Sequence, residues 1–158
     1  MADSIASAVI NQPSENWKNI IIPEPFGKTV QGAIDLYRSK FRENIGVESV
    51  KIFETDASKS QAIGHYIHQK LGPSAGKIGS LVKIETQSVI ELNKLEEVGN
   101  SLARQTVALG DSEINASKLL NSDYLFSPVG TVRNFIESLE AKLNTKITVL
   151  DLAYVKIK

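Results

Sequence analysis

The chain has 158 residues, and its 18 Lys+Arg balance its 18 Asp+Glu, so the formal net charge is zero. With 42% hydrophobic residues it can bury a core, and with no cysteine it lacks a disulfide framework, a cysteine-ligated zinc site and a thiol nucleophile. The zero balance argues against bulk attraction to nucleic acid or to an anionic membrane.

Residues 1–28 read as an extended lead-in, punctuated by Pro13, Pro23 and Pro25. Met1 to Ser14 carries an Asp and no Lys or Arg, unlike the basic start of a signal or transit peptide. The run Ile20 to Ile22 falls far short of the roughly 20 apolar residues that cross a membrane, and suits a short strand. Thr29 then reads as an N-cap. Val30, Ile34, Tyr37 and Phe41 come next, on one helix face.

The period next changes. Val50 and Ile52 alternate with polar neighbours and predict a first strand. Ala62, Gly64, Tyr66 and His68 predict one face of a second strand, with Ile63, His65 and Ile67 on the other. Ile78, Ser80, Val82 and Ile84 mark a third, across the loop Gly72 to Gly76. These read as a three-strand antiparallel meander. Helical period returns at Leu92, Leu95, Gly99, Leu102 and Thr106, stopping at Gly110. A short helix is expected within residues 111–120, then a loop over Ser127 to Gly130. A last helix carries Val132, Phe135, Ile136, Leu139 and Leu143, ended by Asn144. Ile147, Val149, Ala153, Val155 and Ile157 alternate through a final strand, with Asp151 breaking the pattern and Leu150 and Leu152 on the opposite face. Segregated strands and helices predict an α+β fold, a small antiparallel sheet packed with helices, over residues 29–158.

The motifs for chemistry fail on physical grounds. Gly72 to Lys77 resembles a phosphate loop, but its glycines are one residue too close, Ile78 stands where a magnesium-binding hydroxyl belongs, and a strand comes after it where a helix N-terminus is needed. His65 and His68 share a helix face only if the segment is helical; on a strand they point apart and hold no common metal. No Gly-x-Ser-x-Gly elbow is present. Lys142, Lys146, Lys156 and Lys158 give a mildly basic end, without interleaved aromatics to act as stacking platforms.

Three stretches together resemble translation elongation factor Ts. Gly27 to Ile45 (GKTVQGAIDLYRSKFRENI) is similar to a family helix that runs into a K-I-G-E-N-I signature. Lys40, Glu43, Asn44 and Ile45 match it, and Phe41 and Arg42 stand for Ile and Gly. Gly64 to Ile84 resembles the family's Gly-x-Tyr-x-His, loop, basic-Ile-Gly-x-Leu-Val pattern. Phe126 to Lys158 looks like its closing helix and strand.

The resemblance implies the elongation factor Ts core and a binding protein, not an enzyme. The partner would be elongation factor Tu, with promotion of GDP exchange, no cofactor or metal, and no direct contact with nucleic acid, membrane or a small-molecule substrate. Phe41, Arg42, Glu43, Asn44, Ile45 and His68 would be the partner-binding residues. Arg42 is the departure with most consequence, because a long cation cannot make the close backbone approach that Gly allows. The family's N-terminal helical module, Thr-Asp-Phe-Val motif and protruding coiled-coil insertion have no counterpart in the sequence. That suggests a piece of a longer protein or a reduced member. The alternatives are a repurposed scaffold module of the same fold without exchange activity, and a small enzyme with an unfamiliar site. The missing insertion and drifted signature point to an organelle, the mitochondrial matrix first, with bacterial cytoplasm or a plastid as alternatives.

Overall fold

The computed structural model describes residues 1–128 and 130–157. Val129 of the expected loop and Lys158 of the basic end lie outside them. The order is α1 (Ala2–Asn11), β1 (Ile21–Ile22), β2 (Lys28–Thr29), α2 (Val30–Phe41), β3 (Ser60–Lys70), β4 (Gly76–Thr86), α3 (Leu92–Leu109), α4 (Ala116–Asn121), α5 (Val132–Leu143) and β5 (Ile147–Lys156). This is an α+β fold. None of the described helices is long and apolar enough to cross a membrane.

The chain divides into two compact units, Met1–Ile52 and Phe53–Lys158, where the sequence pattern suggested a division after residue 28. The expected lead-in is part of the first unit. Residues 2–11 are helical, and Ile5, Ala8 and Val9 of α1 are buried with Ile20, Ile22, Val30, Ala33 and Ile34. Apolar residues at positions 5, 8 and 9 have a helical period, which explains the outcome. β1 and β2 form a two-residue antiparallel ladder. The Thr29 side chain accepts from the Gly32 N–H at 3.0 Å and caps α2 as expected.

Val50 and Ile52 correct the expected meander. They belong to no strand and lie half-buried against the first unit's core, together with Val47. Alternation records only that one side of an extended segment is apolar; it does not provide a pairing partner. The sheet of the second unit therefore has three strands in the order β3-β4-β5, all antiparallel.

One face of this sheet carries the core. Ala62, Val82, Ile84 and Ile147 are buried with Leu95, Val98, Leu102 and Ala103 of α3, Leu119 of α4, and Val132 and Ile136 of α5. Gly64 and Gly99 let β3 and α3 approach closely: a Cβ on Gly64 would overlap the Gly99 carbonyl carbon, and one on Gly99 would lie 2.8 Å from the Gly64 Cα. The fully buried Gln105 holds the loop after α4, donating to the Asp123 carbonyl at 2.8 Å and accepting from the Leu125 N–H at 3.0 Å.

β5 departs from the predicted alternation. Lys83 pairs with Asp151, but Ile84 pairs with Val149, so Leu150 is the extra residue of a bulge. Parity reverses there. Leu152 and Tyr154 face the same way as Ile147 and Val149, opposite Val82 and Ser80, while Ala153 and Val155 turn to the other face. The expected grouping of Ala153 and Val155 with Ile147 is thus corrected.

Candidate functional site

The six sequence-predicted residues fall in different units. Phe41 to Ile45 are consecutive at the end of α2 in the first, and His68 lies near the end of β3 in the second.

At the end of α2 the apolar face emerges from the core. Val30, Ala33 and Ile34 are buried, Tyr37 is half-buried, and Phe41 is 52% exposed. Phe26, Tyr37 and Phe41 form a run of rings with centroids 6.1 and 5.6 Å apart. The Lys40 Nζ lies 5.7 Å from the Phe41 centroid. The helix closes at Arg42, which is left-handed (φ 55°) and donates its N–H to the Arg38 carbonyl at 2.8 Å. This is the position where the family pattern has Gly. A left-handed helix cap wants Gly for conformational reasons, whether or not a partner backbone comes close. Arg38 anchors the segment beyond the cap: its Nε donates to the Ile45 carbonyl, and its Nη1 lies 3.6 Å from Asp35. Ile45 is half-buried, and Arg42, Glu43 and Asn44 are exposed. Sequence reasoning missed Arg38; its spacing of seven residues from Ile45 carries no periodic signal across a helix end.

In the second unit His68 is exposed, with its ring 6.3 Å from that of Tyr66 and 22° from parallel. Two cross-strand rows end this face of the sheet. Tyr66 pairs with Ser80, which pairs with Tyr154; His68 pairs with Ile78, which pairs with Lys156. Paired residues share a face, so Tyr154 and Lys156 join Tyr66 and His68. Alternation along the strand puts Leu152, Tyr154 and Lys156 on one side, but which face of the sheet that side meets is set by the bulge at Leu150, which the sequence pattern does not show. His65 lies on the other face, as expected for a strand, and its backbone N–H donates to Asn100 Oδ1 at 2.8 Å. Gly76 is required at the turn, because a Cβ there would lie 2.7 Å from the His68 carbonyl oxygen.

A cavity of about 230 Å³ lies between α5 and β5, lined by Arg133, Ile136, Glu137, Glu140, Lys146 and Val149 among others. It contains none of the predicted residues. Glu140 is already engaged, accepting from Lys146 Nζ at 2.7 Å and from the Ile147 N–H at 2.9 Å. Burial pushes its pKa up. That is outweighed by the hydrogen bonds from Lys146 and Ile147 and by the Lys146 charge, which hold it below the usual value. Among the described residues no group of three or more His, Asp or Glu is placed to hold a metal ion. The loop after β3 leads into β4, not into a helix N-terminus. Both predicted regions are surfaces of exposed rings and charges on well-held backbone, an arrangement suited to contact with another macromolecule.

The family model described as Elongation factor TS matches residues 1–122, more than half of the 158-residue chain. No curated protein matches. The matched residues take in the first two resembling stretches whole. They begin at residue 1, so they also include α1, and they end after α4, leaving the third stretch beyond them.

Proposed function

This chain belongs to the elongation factor Ts family, whose members serve translation elongation through nucleotide exchange on elongation factor Tu, and we propose that it binds elongation factor Tu and speeds release of GDP. The observation that carries this reading is the family match over residues 1–122, which includes the whole first unit and more than half of the second. The exchange needs only binding energy. A protein that binds the nucleotide-free partner more tightly than the GDP-bound one weakens GDP binding by the same factor that GDP weakens its own. Phe41, Arg42, Glu43, Asn44 and Ile45 would form one contact and His68 another.

The test mixes the full chain with elongation factor Tu loaded with fluorescent GDP. Faster release supports exchange. A complex without faster release supports the scaffold alternative, and no complex with a folded chain overturns the proposal. His68→Ala is expected to weaken the complex about tenfold and to leave the melting temperature within a degree or two, because the ring is exposed. A titration and a thermal melt check it. Lost stability with intact affinity would make His68 a structural residue.

A further inference from the structure

We infer that the hairpin end of the three-stranded sheet is a cationic docking face for an acidic patch on the partner protein, with Tyr154 and Lys156 joining His68. This rests on the reading that the chain binds elongation factor Tu. The first observation is geometric. The bulge at Leu150 rotates Tyr154 and Lys156 onto the face of Tyr66 and His68, and Lys70, paired with Gly76, continues the same edge.

The second observation is the distribution of charge. Between Asp56 and Glu85 the sequence has no acidic residue, while Lys59, Lys70, Lys77 and Lys83 lie within that span. At the open end of the hairpin the positive charge is locally balanced: Lys59 lies 3.7 Å from Glu85, and Lys83 stands opposite Asp151 in the ladder. At the turn end Lys70 and Lys156 on the His68 face are exposed, as is Lys77, which lies between Gly76 and Ile78 and so on the opposite face, and none of the three makes a salt bridge among the described residues. A chain of zero net charge thus concentrates one sign at one end of its sheet. Such a patch steers an oppositely charged surface and rejects a basic one.

The rings decide between an acidic protein and single-stranded RNA. Stacking bases need open ring faces in series. Here Tyr66 and Tyr154 are half-buried, and only His68 is exposed. Half-buried tyrosines beside exposed cations suit a protein interface, where rings provide apolar area and the rim carries charge.

The experiment titrates elongation factor Tu with the full chain and with Lys70→Glu, Lys156→Glu and Lys142→Glu, at low and moderate salt. Lys142 is exposed on α5 and controls for the change in net charge. Lys70→Glu and Lys156→Glu are expected to weaken binding about tenfold at low salt and to flatten its salt dependence, with unchanged melts. Lys142→Glu is expected to do neither. If the unaltered chain binds and both reversals bind equally well, the docking face is elsewhere and the elongation factor Tu reading stands. If the unaltered chain does not bind at all, that reading falls and this inference with it. Capture of an RNA oligonucleotide that Lys156→Glu abolishes, with the elongation factor Tu complex unaffected, overturns the inference in favour of RNA.

Discussion

Arg42 shows how one residue can be read two ways. From sequence, a Gly at this point of the family signature suggests close approach of a partner. The structure gives a local reason: the residue caps α2 with φ 55°, a conformation that costs a side-chain-bearing residue about 1 kcal/mol. Arg42→Gly is therefore expected to stabilise the first unit by about 0.5–1 kcal/mol. Trp17, the only tryptophan, lies against that unit's core, so its fluorescence in a urea titration reports the change. A destabilisation would mean that the Arg42 side chain does more for the fold than its exposure suggests. Gly64 is the converse case. It also matches the family pattern, and its reason is steric, because any Cβ would push β3 from α3. Gly64→Ala is expected to cost about 3 kcal/mol, read as a lower urea midpoint by circular dichroism. An unchanged midpoint would mean that strand and helix separate freely.

At the scale of elements, α5 conforms closely to its sequence pattern. Thr131 caps it in a reciprocal box with Asn134, and Asn144 ends it in the left-handed conformation. Its apolar stripe meets the core through Val132 and Ile136, both buried. Phe135 lies at the margin, half-buried and stacked on Tyr124 with centroids 4.1 Å apart and planes 10° from parallel. Phe135→Ala is expected to cost about 2–3 kcal/mol, less than a fully buried ring, in a denaturant melt of the full chain. A loss near zero would mean that the stack adds nothing beyond solvent contact. β5 was less legible, because a single extra residue reverses every later side chain and period counting has no term for it. The sheet also protects its edges locally. The β3 edge offers the His65 N–H to Asn100, and the β5 edge offers Ile147 to Glu140 and Leu152 to its neighbour Asp151. Filled edge donors leave fewer sites for an intruding strand.

At the scale of the molecule, the zero net charge of the sequence conceals an uneven distribution. Acidic residues are absent from positions 57–84, and pairing near the open end of the hairpin leaves the excess at its turn. Composition, caps and period by themselves determined the α+β class, the spans of α2, α3 and α5, the Thr29 and Gly110 caps, and the separation of His65 from His68. These are local matters, settled by φ/ψ preference and by which side of an element is apolar. Only the tertiary structure decided that residues 2–11 belong to a helical unit with its own core, that Val50 and Ile52 join it instead of a sheet, and that Tyr154 and Lys156 share a face with His68. Each of these depends on which distant segment fills a given space or ladder position, and a pattern of neighbours along the chain does not contain that information.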